Sequence, residues 1–154
     1  MIEEQVLIFR VQEEEYAIPV ADSQETIGQL TIKKIPTALD YLEGVINIRG
    51  QVIPVVRLSA KIGLAGDKPA TQKVIIVKIG SQEVGIIVDE ITGAMCLAAA
   101  GIEPSARGCS CLGSCIRGVG EVGNRPIILL DIERLFSAEE LASFKRLEQL
   151  LGFS

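Results

Sequence analysis

The chain has 154 residues, enough for one compact domain whose core needs neither disulfides nor metal. It is 48% hydrophobic and only 4% aromatic, with a formal net charge of −5. That balance excludes an extended nucleic-acid face, which needs concentrated Lys and Arg; the one basic pair, Lys33-Lys34, reads as a solvated strand end. The absence of histidine removes the commonest general base and the commonest zinc nitrogen ligand. Met1-Ile2-Glu3-Glu4 carries neither the basic nor the apolar part of a signal peptide. No apolar run approaches the roughly 18 residues of a membrane span, so a cytoplasmic chain with reduced thiols and no membrane insertion is expected.

Branched apolar runs bounded by turn residues predict strands along most of the sequence. Gln5 to Val11 is the first, closed by the polar turn Gln12-Glu13-Glu14-Glu15. Tyr16 to Val20 follows, with Pro19 marking an edge or a strand end. Leu30 to Ile35 alternates, and Ala38 to Leu42 suits one helical turn. Val45 to Arg49 and Val52 to Leu58 form a hairpin across Arg49-Gly50-Gln51. Ser59 to Thr71, rich in Gly, Ala, Asp and Pro, reads as a connector. Strands restart at Lys73 to Ile79 and Val84 to Ile91. Ala98 to Gly113 is irregular, and Cys115 to Val122 and Arg125 to Ile132 make a last hairpin across Gly123-Asn124. Ser137 and Glu140 have capping-box spacing. Leu141, Phe144, Leu147, Leu150 and Leu151 then share one helical face, which closes the fold or meets a partner.

The restart is a repeat. Val6 to Val20 aligns without a gap on Val74 to Val88. At the same offset Ile48-Arg49-Gly50 falls on Ile116-Arg117-Gly118, Ile53 to Leu58 matches Ile127 to Ile132 after a short insertion, and Glu25 and Gly28 match Glu90 and Gly93 after a short deletion. Two copies of one unit imply a pseudo-twofold arrangement. The expected fold is all-β: two five-stranded barrels within one domain spanning 1–154, with subdomains of about 1–70 and 71–136 and a C-terminal helix at about 137–151. A groove between them would be the binding place.

Catalytic signatures are missing. Gly63-Leu64-Ala65-Gly66-Asp67-Lys68-Pro69 fails phosphate-loop spacing, and the acid pairs Asp89-Glu90 and Glu139-Glu140 read as structural. The expectation is a non-enzyme without a cofactor. Cys96, Cys109, Cys111 and Cys115 form the one odd constellation. Incidental thiols in a small-residue loop, a metal or cluster site, and a redox pair all stay open. Arg49 is the most suggestive single residue, because a guanidinium at a hairpin tip suits a forked contact to a carboxylate. Arg117 repeats it, which gives the Arg-Gly pair a structural turn role at least in part.

Gly44-Val45-Ile46-Asn47-Ile48-Arg49-Gly50-Gln51-Val52-Ile53-Pro54-Val55-Val56 resembles the most diagnostic segment of the CheW family. Tyr16-Ala17-Ile18-Pro19, Glu25, Val84 to Ile91, Ile116-Arg117-Gly118-Val119 and Ile128 to Ile132 extend the likeness over nearly the whole chain. The resemblance implies two SH3-like barrels and a scaffold with two partners, the cytoplasmic tip of a methyl-accepting chemotaxis receptor and the regulatory domain of the histidine kinase CheA. It places receptor contact on Ser23, Glu25, Asn47, Arg49 and Gly50, assigns no residues to the kinase contact, and implies recruitment to membrane receptor arrays. Arg57 departs from it, standing where the family usually has Asp, and so does the cysteine-bearing loop. A metal or redox protein, or the same scaffold serving a motility or gene-regulation kinase, are the competing readings.

Overall fold

The computed structural model describes residues 3–27, 32–35, 40–63, 73–98 and 116–151. Branched residues build ten strands in these stretches. The first half gives β1 (Glu3–Val11), β2 (Glu14–Pro19), β3 (Ser23–Ile27), β4 (Leu42–Ile48) and β5 (Gln51–Arg57), then a short helix α1 (Leu58–Lys61). The second half gives β6 (Lys73–Ile79), β7 (Gln82–Val88), β8 (Glu90–Ala98), β9 (Ile116–Val122) and β10 (Arg125–Leu130), and the chain closes with α2 (Ala138–Leu151).

These strands form two five-stranded sheets. Sheet 1 has the order β8-β1-β2-β10-β9 and sheet 2 the order β3-β6-β7-β5-β4. Exchanging each strand for its repeat partner converts one order into the other, so the duplication is a pseudo-twofold of the fold. The two sheets do not follow the halves 1–70 and 71–136. Each copy places two strands in one sheet and three in the other, so a cut near residue 70 separates repeats, not sheets. The sheets are also open, not closed barrels: β8 and β9 end one, β3 and β4 the other.

Pairing registers correct the repeat alignment. A shift of 68 carries Val6↔Pro19 onto Val74↔Ile87. It also carries the bulge between Ser23 and Glu25 onto the one formed by Ile91 and Gly93, so Glu25 corresponds to Gly93 and not to Glu90. For the last hairpin the shift becomes 74: Ile48↔Gln51 corresponds to Val122↔Arg125. Arg49-Gly50 therefore matches Gly123-Asn124. Arg117 sits inside β9 at the position of Glu43 and does not repeat Arg49. Val/Ile-rich strands tolerate such slips in sequence comparison, but paired hydrogen bonds do not.

The expected strand Val84 to Ile91 breaks at Asp89. There the Asp89 carboxylate accepts from the Gln12 backbone N–H (2.8 Å), and the Asp89 N–H donates to the Arg10 carbonyl (2.9 Å). The chain thereby leaves sheet 2 and enters sheet 1. Of the expected strand Leu30 to Ile35, Lys33 makes a bridge to Val45, and residues 28–31 lie outside the described set. Of the expected helical turn Ala38 to Leu42, Ala38 and Leu39 lie outside it too, Asp40 and Tyr41 form a turn, and Leu42 opens β4. Also outside it are 64–72 and 99–115, with all but Gly63 of the phosphate-loop-like Gly63 to Pro69 and with Cys109, Cys111 and Cys115.

Along the central strands alternate residues enter different cores. Val6, Ile8, Ile127 and Leu129 fill a core private to sheet 1; their repeat partners Val74, Ile76, Ile53 and Val55 fill one private to sheet 2. The intervening residues, among them Phe9, Tyr16, Ile18, Ile75, Val77 and Ile86, form one shared core. Strands buried on both faces read as continuous apolar runs, which is why β1 and β6 look so alike. This shared core occupies the space between the sheets. Helix α2 adds buried Phe144, with Leu141 and Leu147 half-buried, whereas Leu150 is 77% exposed and not part of the packed face.

Candidate functional site

Sheet 2 ends in β3 on one side and β4 on the other, yet these edges meet. Arg49, in the two-residue turn between β4 and β5, donates from Nη2 to Glu25 Oε1 of β3 at 2.7 Å. The sheet is curled far enough for an ion pair to bridge its opposite edges, where backbone bonding stops. Arg49 remains 76% exposed, while Glu25 is 33% exposed. A guanidinium held at one side and open at the other presents its remaining donors outward.

The turn itself is strained. Arg49 has φ 53° and Gly50 φ 80°, two successive left-handed residues, as a type I′ hairpin requires. Gly50 suits its position, but Arg49 does not: a side chain there crowds the following carbonyl. Asn47 secures the turn, its Oδ1 accepting from the Gly50 backbone N–H at 3.1 Å. Four of the five residues expected at the receptor surface thus meet in one cluster: Glu25, Asn47, Arg49 and Gly50. Ser23 lies on the same strand as Glu25, with its hydroxyl bound to the Val20 carbonyl (2.9 Å).

The corrected repeat gives this cluster a sharper meaning. In sheet 1 the positions of Glu25 and Arg49 are held by Gly93 and Gly123. One copy keeps the charged pair and the other has lost both side chains, so the pair is not needed to build the fold. Arg57, the departure from the expected Asp, also finds its reason: its Nε lies 3.3 Å from Glu43 Oε2, with both side chains largely buried. The second copy has Asp131 and Arg117 at these places, the same charges exchanged.

Sequence reasoning missed a second polar cluster. Glu140 accepts from Lys61 Nζ at 2.8 Å and from the Tyr41 hydroxyl. It also completes the expected capping box, in which Ser137 N–H donates to Oε1 (2.9 Å) and Glu140 N–H to Ser137 Oγ (3.1 Å). Burial pushes the Glu140 carboxyl up, but hydrogen bonds from Lys61, Tyr41 and the Ser137 backbone outweigh it and hold it below its ordinary value. Burial, then the neighbouring Glu140, push the Tyr41 hydroxyl up, so it stays protonated and donating. Only the Ser137–Glu140 spacing was a sequence signal.

Of the four cysteines, Cys96 is described: a free, exposed thiol on β8. Among the described residues no group of three or more His, Cys, Asp or Glu could hold a metal. Among them, too, no helix is long and apolar enough to cross a membrane.

Two pseudo-symmetric five-stranded sheets with an exposed, ion-paired hairpin at one rim define a duplicated all-β module. The family model of the CheW-like domain matches residues 5–140, and the chain belongs to that family. It is 35% identical over 141 residues to the chemotaxis protein CheW of Klebsiella aerogenes, covering 90% of this chain and 85% of that one. It is 32% identical to the CheW of Rhizobium meliloti, covering 88% and 89%. The scaffolding protein TtCheW of Thermoanaerobacter tengcongensis superposes with a TM-score of 0.82 at 28% identity, over 89% of this chain and 94% of the other. The chain is accordingly a non-catalytic chemotaxis scaffold of SH3-like, two-subdomain build.

Proposed function

We propose that this scaffold couples the cytoplasmic tip of a chemotaxis receptor to the regulatory domain of the histidine kinase CheA, at receptor arrays on the inner face of the membrane. Ser23, Glu25, Asn47, Arg49 and Gly50 form the receptor contact. The observation that carries this reading is Arg49: exposed, strained, paired to Glu25, and without a counterpart in the second copy. Strain retained at an exposed charged residue points to a use outside the fold.

A receptor tip is a helical hairpin. Its apolar face can lie along the sheet rim while a carboxylate meets the Arg49 guanidinium. Micromolar affinity, about 8 kcal/mol, suffices when many copies are held in an array. The signal passes as a shift in kinase population, because the scaffold contacts the kinase's states differently and performs no chemistry.

A three-component pull-down with cognate receptor fragment and kinase, followed by kinase autophosphorylation, tests this. Both partners should be retained together and phosphorylation should rise. Arg49→Asp should weaken receptor retention while the circular dichroism stays β-like. Retention of neither partner would overturn the proposal.

A further inference from the structure

Helix α2 is fastened to both ends of the hairpin that carries Arg49. At the base, Tyr41 directly precedes β4, and Lys61 ends the short helix that follows β5. Both bind Glu140 of α2. The Arg57 N–H donates to the Tyr41 carbonyl at 2.8 Å, which closes the hairpin base. The Lys61 ammonium lies 4.7 Å from the Tyr41 ring centroid, and that ring meets Phe144 of α2 edge-on at 6.5 Å. At the tip, Gln51 follows the Arg49-Gly50 turn and donates to Glu83 Oε1 at 3.2 Å. Its neighbour Gln82, a buried polar side chain, donates to the Glu83 carbonyl at 3.0 Å and hydrogen-bonds Glu148 of α2. Glu140 and Glu148 stand about two helical turns, ~12 Å, apart and so address opposite ends of one hairpin.

We infer that α2 is a splint for the receptor-docking hairpin, and that Glu140 is the positioning residue that sets it. The hairpin needs one. β4 is an edge strand and β5 pairs with β7 only from Val55 to Arg57, so the tip half of the hairpin is a two-stranded ribbon, which frays readily. Its Arg49 must also reach Glu25 on the opposite edge, a distance set by the curl of sheet 2. Seating of α2 and readiness of the rim are therefore one equilibrium. This deepens the receptor reading of the Arg49 cluster and rests on it.

Amide hydrogen exchange on the full chain tests the splint without any partner. Glu140→Ala should speed exchange of the 48–52 amides roughly tenfold and leave β1, β2 and β10 nearly unchanged. It should also weaken receptor-fragment binding about fivefold, at a temperature where the protein stays folded. Glu140→Gln keeps one oxygen for the Ser137 backbone N–H and can turn its amide NH2 to donate to the Tyr41 hydroxyl oxygen, but it loses the Lys61 contact, and should restore part of both. If Glu140→Ala does not fold, Tyr41→Phe removes one hydroxyl and should speed the same amides by roughly threefold. Unchanged hairpin exchange, or equal acceleration in both sheets, overturns the inference. So does faster hairpin exchange with unchanged binding, where Arg49→Asp does weaken binding. If Arg49→Asp leaves binding intact as well, the receptor reading fails, and the hairpin amides alone decide the splint.

Discussion

Arg49→Asn separates what the hairpin needs from what a partner needs. A left-handed backbone costs an ordinary L-residue about 1–2 kcal/mol, and Arg49 sits there at φ 53°. Asn tolerates this region, and Asn-Gly is the preferred type I′ pair, so most of that cost disappears. The substitution also removes the ion pair with Glu25, which at 76% exposure of the arginine is worth about 0.2–1 kcal/mol. The difference predicts a gain of about 0.5–1 kcal/mol. With a urea slope of about 1–3 kcal/mol per molar, the midpoint should rise by a few tenths molar. Binding should move the other way. Losing a charge-assisted contact of about 1.5–3 kcal/mol weakens the receptor complex by roughly ten- to a hundredfold. Urea melts and titration with a receptor fragment read the two quantities on one sample. A stability lowered by more than about 1 kcal/mol, or unchanged affinity, would refute the reasoning.

Gly44→Ala should destabilise by about 1–3 kcal/mol through overpacking. Its Cβ would collide with the Lys33 carbonyl and lie 2.9 Å from Ile32 Cγ2, breaking the Lys33–Val45 bridge; a wild-type melting curve would contradict this. Glu148→Gln should raise the melting temperature at pH 7. Burial, assisted by the Glu83 charge, raises the Glu148 carboxyl against Gln82 and Lys145. The native state then holds this proton more tightly than the unfolded chain. Stability from this group is present at low pH and is lost as pH rises through the raised value. The gain should fade as pH falls below about 4, the ordinary carboxylate range, and a gain equal at both pH values would show a different origin.

The pseudo-twofold lets the two sheets be compared corner by corner. Duplication made two equivalent hairpin corners. One carries Glu25 and Arg49, the other Gly93 and Gly123. The corner on sheet 2 therefore carries an ion pair that joins the sheet's two edges, whereas at the corner on sheet 1 the charged contact is Arg125 with Glu15, beside the turn and not in it. The positions behind them differ too: Glu43 pairs with Arg57 in one copy, while the equivalent places in the other hold Arg117, which is exposed, and Asp131, which lies 3.5 Å from Arg134. A charge taken largely out of water needs its opposite nearby, which is the reason Arg57 lies against Glu43.

The sequence alone determined the all-β class, the duplication, the closing helix and the family, because these rest on local patterns: branched runs, a capping box, one long motif. It also named four residues that meet at the rim, since Asn47, Arg49 and Gly50 belong to one hairpin and Glu25 belongs to the same motif set. Tertiary structure decided the rest. The halves exchange strands between sheets, and no local pattern records which sheet a strand joins. The match of Arg49 to Gly123, and of Glu25 to Gly93, needed paired backbone hydrogen bonds, because side chains on similar strands align almost equally well one turn out of place. The Tyr41–Lys61–Glu140 cluster joins residues 99 and 79 positions apart. Such contacts exist only once the chain has closed on itself, so the spacing of residues along it carries no trace of them.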